Sequence, residues 1–127
     1  MGLTVKEVSE KLGVSAETLR YYERAGVIPP VTRTHSGIRD FSERDLAWVQ
    51  HAKCMRAAGI PIDKLAAYQQ LYSGGPATLR ARLDLLLEQR QLLSARMAQL
   101  QETIDRLGYK ISRYRRVSVK QLILRMA

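Results

Sequence analysis

Val5, Val8 and Leu12 recur at helical spacing and give the start of the chain one apolar face. Thr4 stands just before them with Glu7 at the third position after it, the arrangement of a capping box, and Gly13 supplies a helix stop. Ser15 is placed to cap a second helix, so helix, tight turn and helix fit within roughly 20 residues, the helix-turn-helix signal. An ordinary hairpin of two helices inside a bundle would leave the same pattern. Gly26 and the Pro29-Pro30 pair end the second helix, because proline disfavours helical backbone at the residue before it. From Val31 to Phe41, apolar and polar residues alternate loosely around His35-Ser36-Gly37, which predicts a short hairpin, or wing. Ser42, with Asp45 at the box position, opens a third helix that Leu46 and Val49 carry to Ala58, and Gly59-Ile60-Pro61 breaks it. A fourth helix, about Ile62 to Tyr72, turns Ile62, Leu65, Tyr68 and either Leu71 or Tyr72 inward. Ser73-Gly74-Gly75-Pro76 reads as a linker.

Beyond the linker the period changes. Leu79, Leu83, Leu86, Leu93, Met97, Leu100, Ile104, Leu107, Ile111 and Tyr114 follow one another in alternating steps of four and three, with Arg90 at the intervening core position. This is a heptad seam. A helix over 77–114 would be roughly 57 Å long at 1.5 Å per residue. Such a helix is too long to bury its stripe on a small neighbouring domain and is expected to pair with a second copy; folding back on its own chain is the alternative. The predicted class is therefore mainly α: a winged helix-turn-helix domain with its helix pair over 1–72, a linker over 73–76, a coiled-coil dimerisation helix over 77–114, and a basic tail over 115–127 without a structural signal of its own.

The chain has 127 residues and a formal net charge of +9, which favours anionic partners. The charge is unevenly placed. Residues 1–58 hold nine Lys/Arg against seven Asp/Glu, and residues 59–127 hold twelve against five. The excess thus lies outside the helix-turn-helix. Cys54 is the single cysteine, so no intrachain disulfide forms, which suits a reducing cytoplasm. The first residues lack an apolar signal core, and no run approaches the roughly 20 apolar residues that cross a bilayer. A cytoplasmic protein without membrane contact is expected.

Thr18-Leu19-Arg20-Tyr21-Tyr22-Glu23 on the second helix and Gly37-Ile38-Arg39-Asp40-Phe41 on the hairpin carry the chemistry. Arginine offers a charged fork to guanine edges and phosphates, and tyrosine a hydroxyl on a stiff ring. Together they point to double-stranded DNA. No phosphate loop, nucleophile elbow, metal box or acid pair is present, so no catalytic residue, metal or cofactor is expected. His51 and Cys54 share one helical face, but an isolated pair of this kind is a weak case for an enzyme.

The block from Thr4 to about Leu46 resembles the DNA-binding domain of MerR-type bacterial transcription regulators, and the order of wing, helix pair, linker and long pairing helix continues the likeness. The resemblance implies DNA contacts from Thr18, Arg20 and Tyr21 on the recognition helix, with Tyr22 beside them as an anchoring neighbour. On the wing it implies Arg33, His35 and Arg39. It also implies an antiparallel homodimer that bends and untwists promoter DNA for RNA polymerase. The family's metal sensors have cysteines near the start of the long helix and after it, where this chain has Pro76 and Ala77 and no further thiol. Its drug sensors carry an added ligand domain, which the dozen or so residues after the long helix do not supply. Lys53-Cys54-Met55-Arg56, Gly59-Ile60-Pro61-Ile62, Leu71-Tyr72 and Thr103 to Ile111 instead resemble the aldehyde- or electrophile-responsive branch, in which Cys54 would be the sensor and a small aldehyde or quinone the effector. Lys53, Arg56 and His51 are its positive neighbours in sequence, a setting that favours thiolate; a buried packing cysteine is the alternative. Gly108, where similar sequences often carry a polar residue, is expected to loosen the end of the long helix. An interaction protein of the same fold, such as a chaperone modulator or antitoxin, is the rival function.

Overall fold

The computed structural model describes residues 2–126. Among them the order of helices is α1 (Val5–Leu12), α2 (Ala16–Arg24), α3 (Glu43–Ala57), α4 (Ile62–Ser73) and α5 (Leu79–Met126), with a 3-10 turn at Pro76–Thr78 before α5. The class is mainly α, as the sequence predicts.

Local chemistry explains the starts and stops. Thr4 Oγ1 accepts the Glu7 N–H at 3.1 Å while Glu7 Oε1 accepts the Thr4 N–H at 2.9 Å, so the first capping box closes in both directions. Ser42 and Asp45 repeat this at the start of α3, at 3.1 and 2.9 Å. Each such cap is worth about 1 kcal/mol. Gly13 ends α1 at φ 68°, a left-handed conformation that a Cβ would strain. Between α2 and α3 the chain forms the wing: Thr34 N–H donates to Ile38 O at 2.8 Å, Asp40 N–H donates to Thr32 O at 2.7 Å, and an isolated antiparallel bridge joins Arg33 to Arg39. A second bridge pairs Leu3 with Phe41 through two bonds of 2.8 Å.

The core gathers these pieces. Val8, Leu19, Val27, Ile28, Phe41 and Val49 are each less than 2% exposed. Burial of each contributes about 1.5–3 kcal/mol. They come from α1, α2, the segment after α2, the wing's last residue and α3, so the core locks the wing to the helix-turn-helix.

Two features differ from the sequence reading. The 73–76 segment, read as a linker, is held as a bonded corner: Thr78 Oγ1 lies 2.6 Å from Leu71 O and 2.8 Å from Gly75 O, and Arg82 Nε donates to Thr78 Oγ1 at 3.1 Å. In addition, α5 does not stop near Tyr114 but runs to Met126, so the basic tail is helical. No proline follows Pro76. Gly108, expected to loosen the helix, lies within it, and one glycine costs only about 1 kcal/mol. The chain divides into two units, Met1–Gln89 and Arg90–Ala127, so the division falls within α5 and not at the corner.

Candidate nucleic-acid interface

The phase of α2 is set by what it buries. Leu19 is 0% exposed and Tyr22 7%. That rotation leaves Glu17, Arg20, Tyr21 and Arg24 on the opposite, exposed face at i, i+3, i+4 and i+7 spacing. Arg24 places its guanidinium carbon 5.5 Å from the Tyr21 ring centroid, a cation–π distance that aligns the two side chains. The exposed face is thus two arginines flanking a tyrosine, suited to base edges and phosphates.

The predicted contacts separate once they are placed. Arg20 and Tyr21 are exposed as expected. Arg24 joins them although sequence reasoning missed it; its helical spacing from Arg20 and Tyr21 was the available signal. Tyr22, expected beside these contacts as an anchoring neighbour, is a core residue; its backbone oxygen accepts from Val27 N–H at 2.9 Å and so also fixes the turn after α2. Thr18 is half-buried, and its Oγ1 lies 2.8 Å from Ser15 Oγ inside the α2 cap.

On the wing, His35 stands exposed in the tip turn, and Arg33 donates from one terminal nitrogen to Gly37 O at 3.0 Å, bracing that turn. Arg39, expected as a wing contact, is also tied to α2. Its Nε donates to Glu23 Oε1 at 2.6 Å, and the two side chains are only 20% and 14% exposed. Glu23 Oε2 also accepts the Val31 N–H at 2.7 Å. Glu23 therefore ties α2 to both ends of the wing.

Burial alone would raise the Glu23 carboxyl, but bonding from Arg39 and Val31, with the charges of Arg39 and Arg33, outweighs it and holds the pKa below the ordinary glutamate value. The tie therefore adds stability above that ordinary value, and the contribution is lost as pH falls through the lowered pKa. Melts of the wild type and Glu23→Gln across this range are expected to converge in acid and separate towards neutral pH. A constant gap between the two would remove Glu23 as the group responsible.

Cys54 is exposed on α3, not buried. Its positive neighbours, however, are engaged elsewhere. Lys53 Nζ donates to Leu12 O at 2.6 Å, closing the end of α1, and Arg56 donates to Ile60 O at 2.8 Å. His51 packs among Trp48 and Tyr68, with ring centroids 5.9 and 5.6 Å away, and burial lowers its pKa, favouring the neutral ring. Among the described residues no group of three or more His, Cys, Asp or Glu is placed to hold a metal, and no helix is long and apolar enough to cross a membrane.

Known proteins share this arrangement. The family model for the MerR HTH family regulatory protein matches residues 3–71, and that for MerR, DNA binding, matches residues 46–109. The HTH-type transcriptional regulator AdhR of Bacillus subtilis is 46% identical over 91 residues, 72% of this chain and 65% of that one, so the match spans slightly less than two thirds of AdhR. A MerR family transcriptional regulator from Listeria monocytogenes has a similar structure, with TM-score 0.87 and 49% identity over 89% of this chain and 86% of that one. HiNmlR, a MerR family regulator lacking the sensor domain and solved bound to promoter DNA, superposes with TM-score 0.81 at 30% identity over 94% of each chain. Sequence match and fold agree over the helix-turn-helix, wing and long helix: the chain belongs to the MerR HTH family of regulatory proteins.

Proposed function

We propose that this protein is a cytoplasmic, homodimeric transcription regulator that binds promoter DNA through the exposed face of α2, with the wing tip alongside, and bends and untwists the duplex for RNA polymerase. The observation that carries the reading is the α2 face itself, where Arg20, Tyr21 and Arg24 stand together while Leu19 and Tyr22 anchor the helix from behind. The likeness to HiNmlR, solved on promoter DNA, supports it. Pairing is supported by the seam of α5: Leu83, Leu86, Met97, Leu100, Ile104, Leu107, Ile111 and Tyr114 are 43–75% exposed along one helix. A stripe of this length calls for a partner, and a second copy in antiparallel order supplies the matching seam. The test is a titration of the protein against its own upstream DNA and a scrambled duplex at two salt concentrations, with particle mass read in parallel. Preference for the upstream DNA by a dimer is expected. Equal affinity for both duplexes, or a monomer at micromolar concentration, would overturn the reading.

Cys54 is the proposed sensor, supported by its exposure and by its place in α3. The sulfur lone pair of Cys54 adds to the C=C bond of an unsaturated aldehyde or quinone: the carbon–sulfur bond forms as the C=C π bond opens, and the thiol proton passes to the adduct, so no separate oxidant is needed. The engaged state of Lys53, Arg56 and His51 means that reactivity must come from access more than from flanking charge. Cys54→Ser is expected to bind operator DNA like the wild type and to lose the transcriptional response to aldehydes and quinones. A full response in the serine variant would make Cys54 structural.

A further inference from the structure

The basic residues from Arg106 onward lie outside both the pairing seam and the α2 face. Between residues 106 and 126 there are seven Lys/Arg and no Asp or Glu. Because α5 is helical to Met126, these charges have defined faces. Arg106, Tyr109, Arg113, Arg116 and Lys120 fall in steps of three, four, three and four, which sets them on one face. That face is turned away from the seam of Ile104, Leu107, Ile111 and Tyr114, occupying the outer positions of the same heptads. Pairing through the seam therefore leaves it free.

All five side chains are exposed. Among the described residues no ion pair engages Arg106, Arg113, Arg116 or Lys120. Asp105, one of two acids after Arg90, is held by the Gln101 side-chain amide at 2.9 Å. Arg113 lies with its guanidinium carbon 6.0 Å from the Tyr109 ring centroid, so the ring, itself 63% exposed, sits within the row of cations. Most of the row lies beyond the residues that the two family models match, which end at 71 and 109.

We infer that this face of α5 is a second DNA-binding surface, which grips the phosphate backbone without reading sequence. Three of its four cations are arginine, whose planar fork matches phosphate oxygens in pairs, and an aromatic ring among them suits a nucleic acid better than an acidic helix. From Arg106 to Lys120 the rise is roughly 21 Å at 1.5 Å per residue, about the span of six phosphates along one strand. The inference rests on the DNA-binding reading but explains a different quantity. The charge excess lies outside the helix-turn-helix, so this surface supplies the sequence-independent part of the affinity while α2 supplies discrimination.

The full chain is titrated against a duplex lacking the operator, from roughly 50 to 200 mM salt. In Arg106→Gln/Arg113→Gln/Arg116→Gln/Lys120→Gln the slope of log K against log salt is expected to shrink by about 0.9 for each phosphate no longer neutralised, up to roughly 3.6 per protomer. The preference for operator over non-operator DNA is expected to persist. Arg106→Lys/Arg113→Lys/Arg116→Lys, which keeps the charge, is expected to keep the slope. Far-UV helicity checks the fold, and if the fourfold variant loses it, Arg113→Gln/Arg116→Gln replaces it with an expected decrease of about 1.8. An unchanged slope in a folded variant overturns the inference, including the case in which the variant instead loses association with RNA polymerase, which would assign the face to an acidic protein surface. Loss of operator preference in Arg20→Ala tests the α2 reading separately, so either can fail alone.

Discussion

Arg20→Ala is expected to lower operator affinity by about 1–3 kcal/mol, roughly 5- to 150-fold, while leaving the melting curve and non-operator binding nearly unchanged. Arg20 stands exposed on α2 and takes no part in the core, so its removal subtracts a contact without opening a cavity. Tyr21→Ala is expected to act in the same direction and also to release Arg24, whose guanidinium lies over that ring. Tyr21→Ala and Arg24→Ala are therefore expected to be non-additive, since neighbours in contact share one interaction. Arg20→Lys should recover little, because a point charge cannot make the paired bonds of a guanidinium fork. Affinity measured on the operator and on a scrambled duplex checks this. An equal loss on both would make Arg20 a phosphate contact and move discrimination to other residues.

Phe41→Ala is expected to act through stability, with a cost of about 3–5 kcal/mol. Phe41 is 1% exposed, and its backbone pairs with Leu3 in both directions at 2.8 Å. The packing around it is close on the backbone side as well, since a Cβ at Gly2 would run into the Phe41 carbonyl. Small domains have about 5–15 kcal/mol in total, so the substitution removes a large share. A fall in melting temperature of about 12 °C or more follows for a head of this size. Unlike Arg20→Ala, it is expected to weaken operator and non-operator DNA together, because the wing loses its attachment to the helix-turn-helix. Phe41→Leu should restore much of the stability by refilling the space. A shift of only a few degrees for Phe41→Ala would mean that the wing is held mainly by the Glu23–Arg39 tie.

The helix-turn-helix was legible in the sequence because its determinants act over a few residues. Thr4 with Glu7 and Ser42 with Asp45 close their boxes within one helical turn, and Gly13 stops α1 by its own backbone freedom. The seam of α5 was legible because a heptad repeat states its own period. What the tertiary structure decided is which way neighbouring side chains turn. Tyr21 and Tyr22 are adjacent in sequence and about 100° apart on the helix, and only the packing of α2 on the core sent one outward and the other in. Arg39 finds Glu23 at a separation of 16 residues, and Lys53 finds Leu12 O at a separation of 41. No local rule links such pairs, so the sequence did not show that the wing's Arg39 is tied to α2 or that Lys53, next to Cys54, closes the end of α1. Helicity beyond Tyr114 was not legible for a related reason. A seam marks where a helix has a partner, whereas the helix itself continues until glycine, proline or missing backbone bonds stop it.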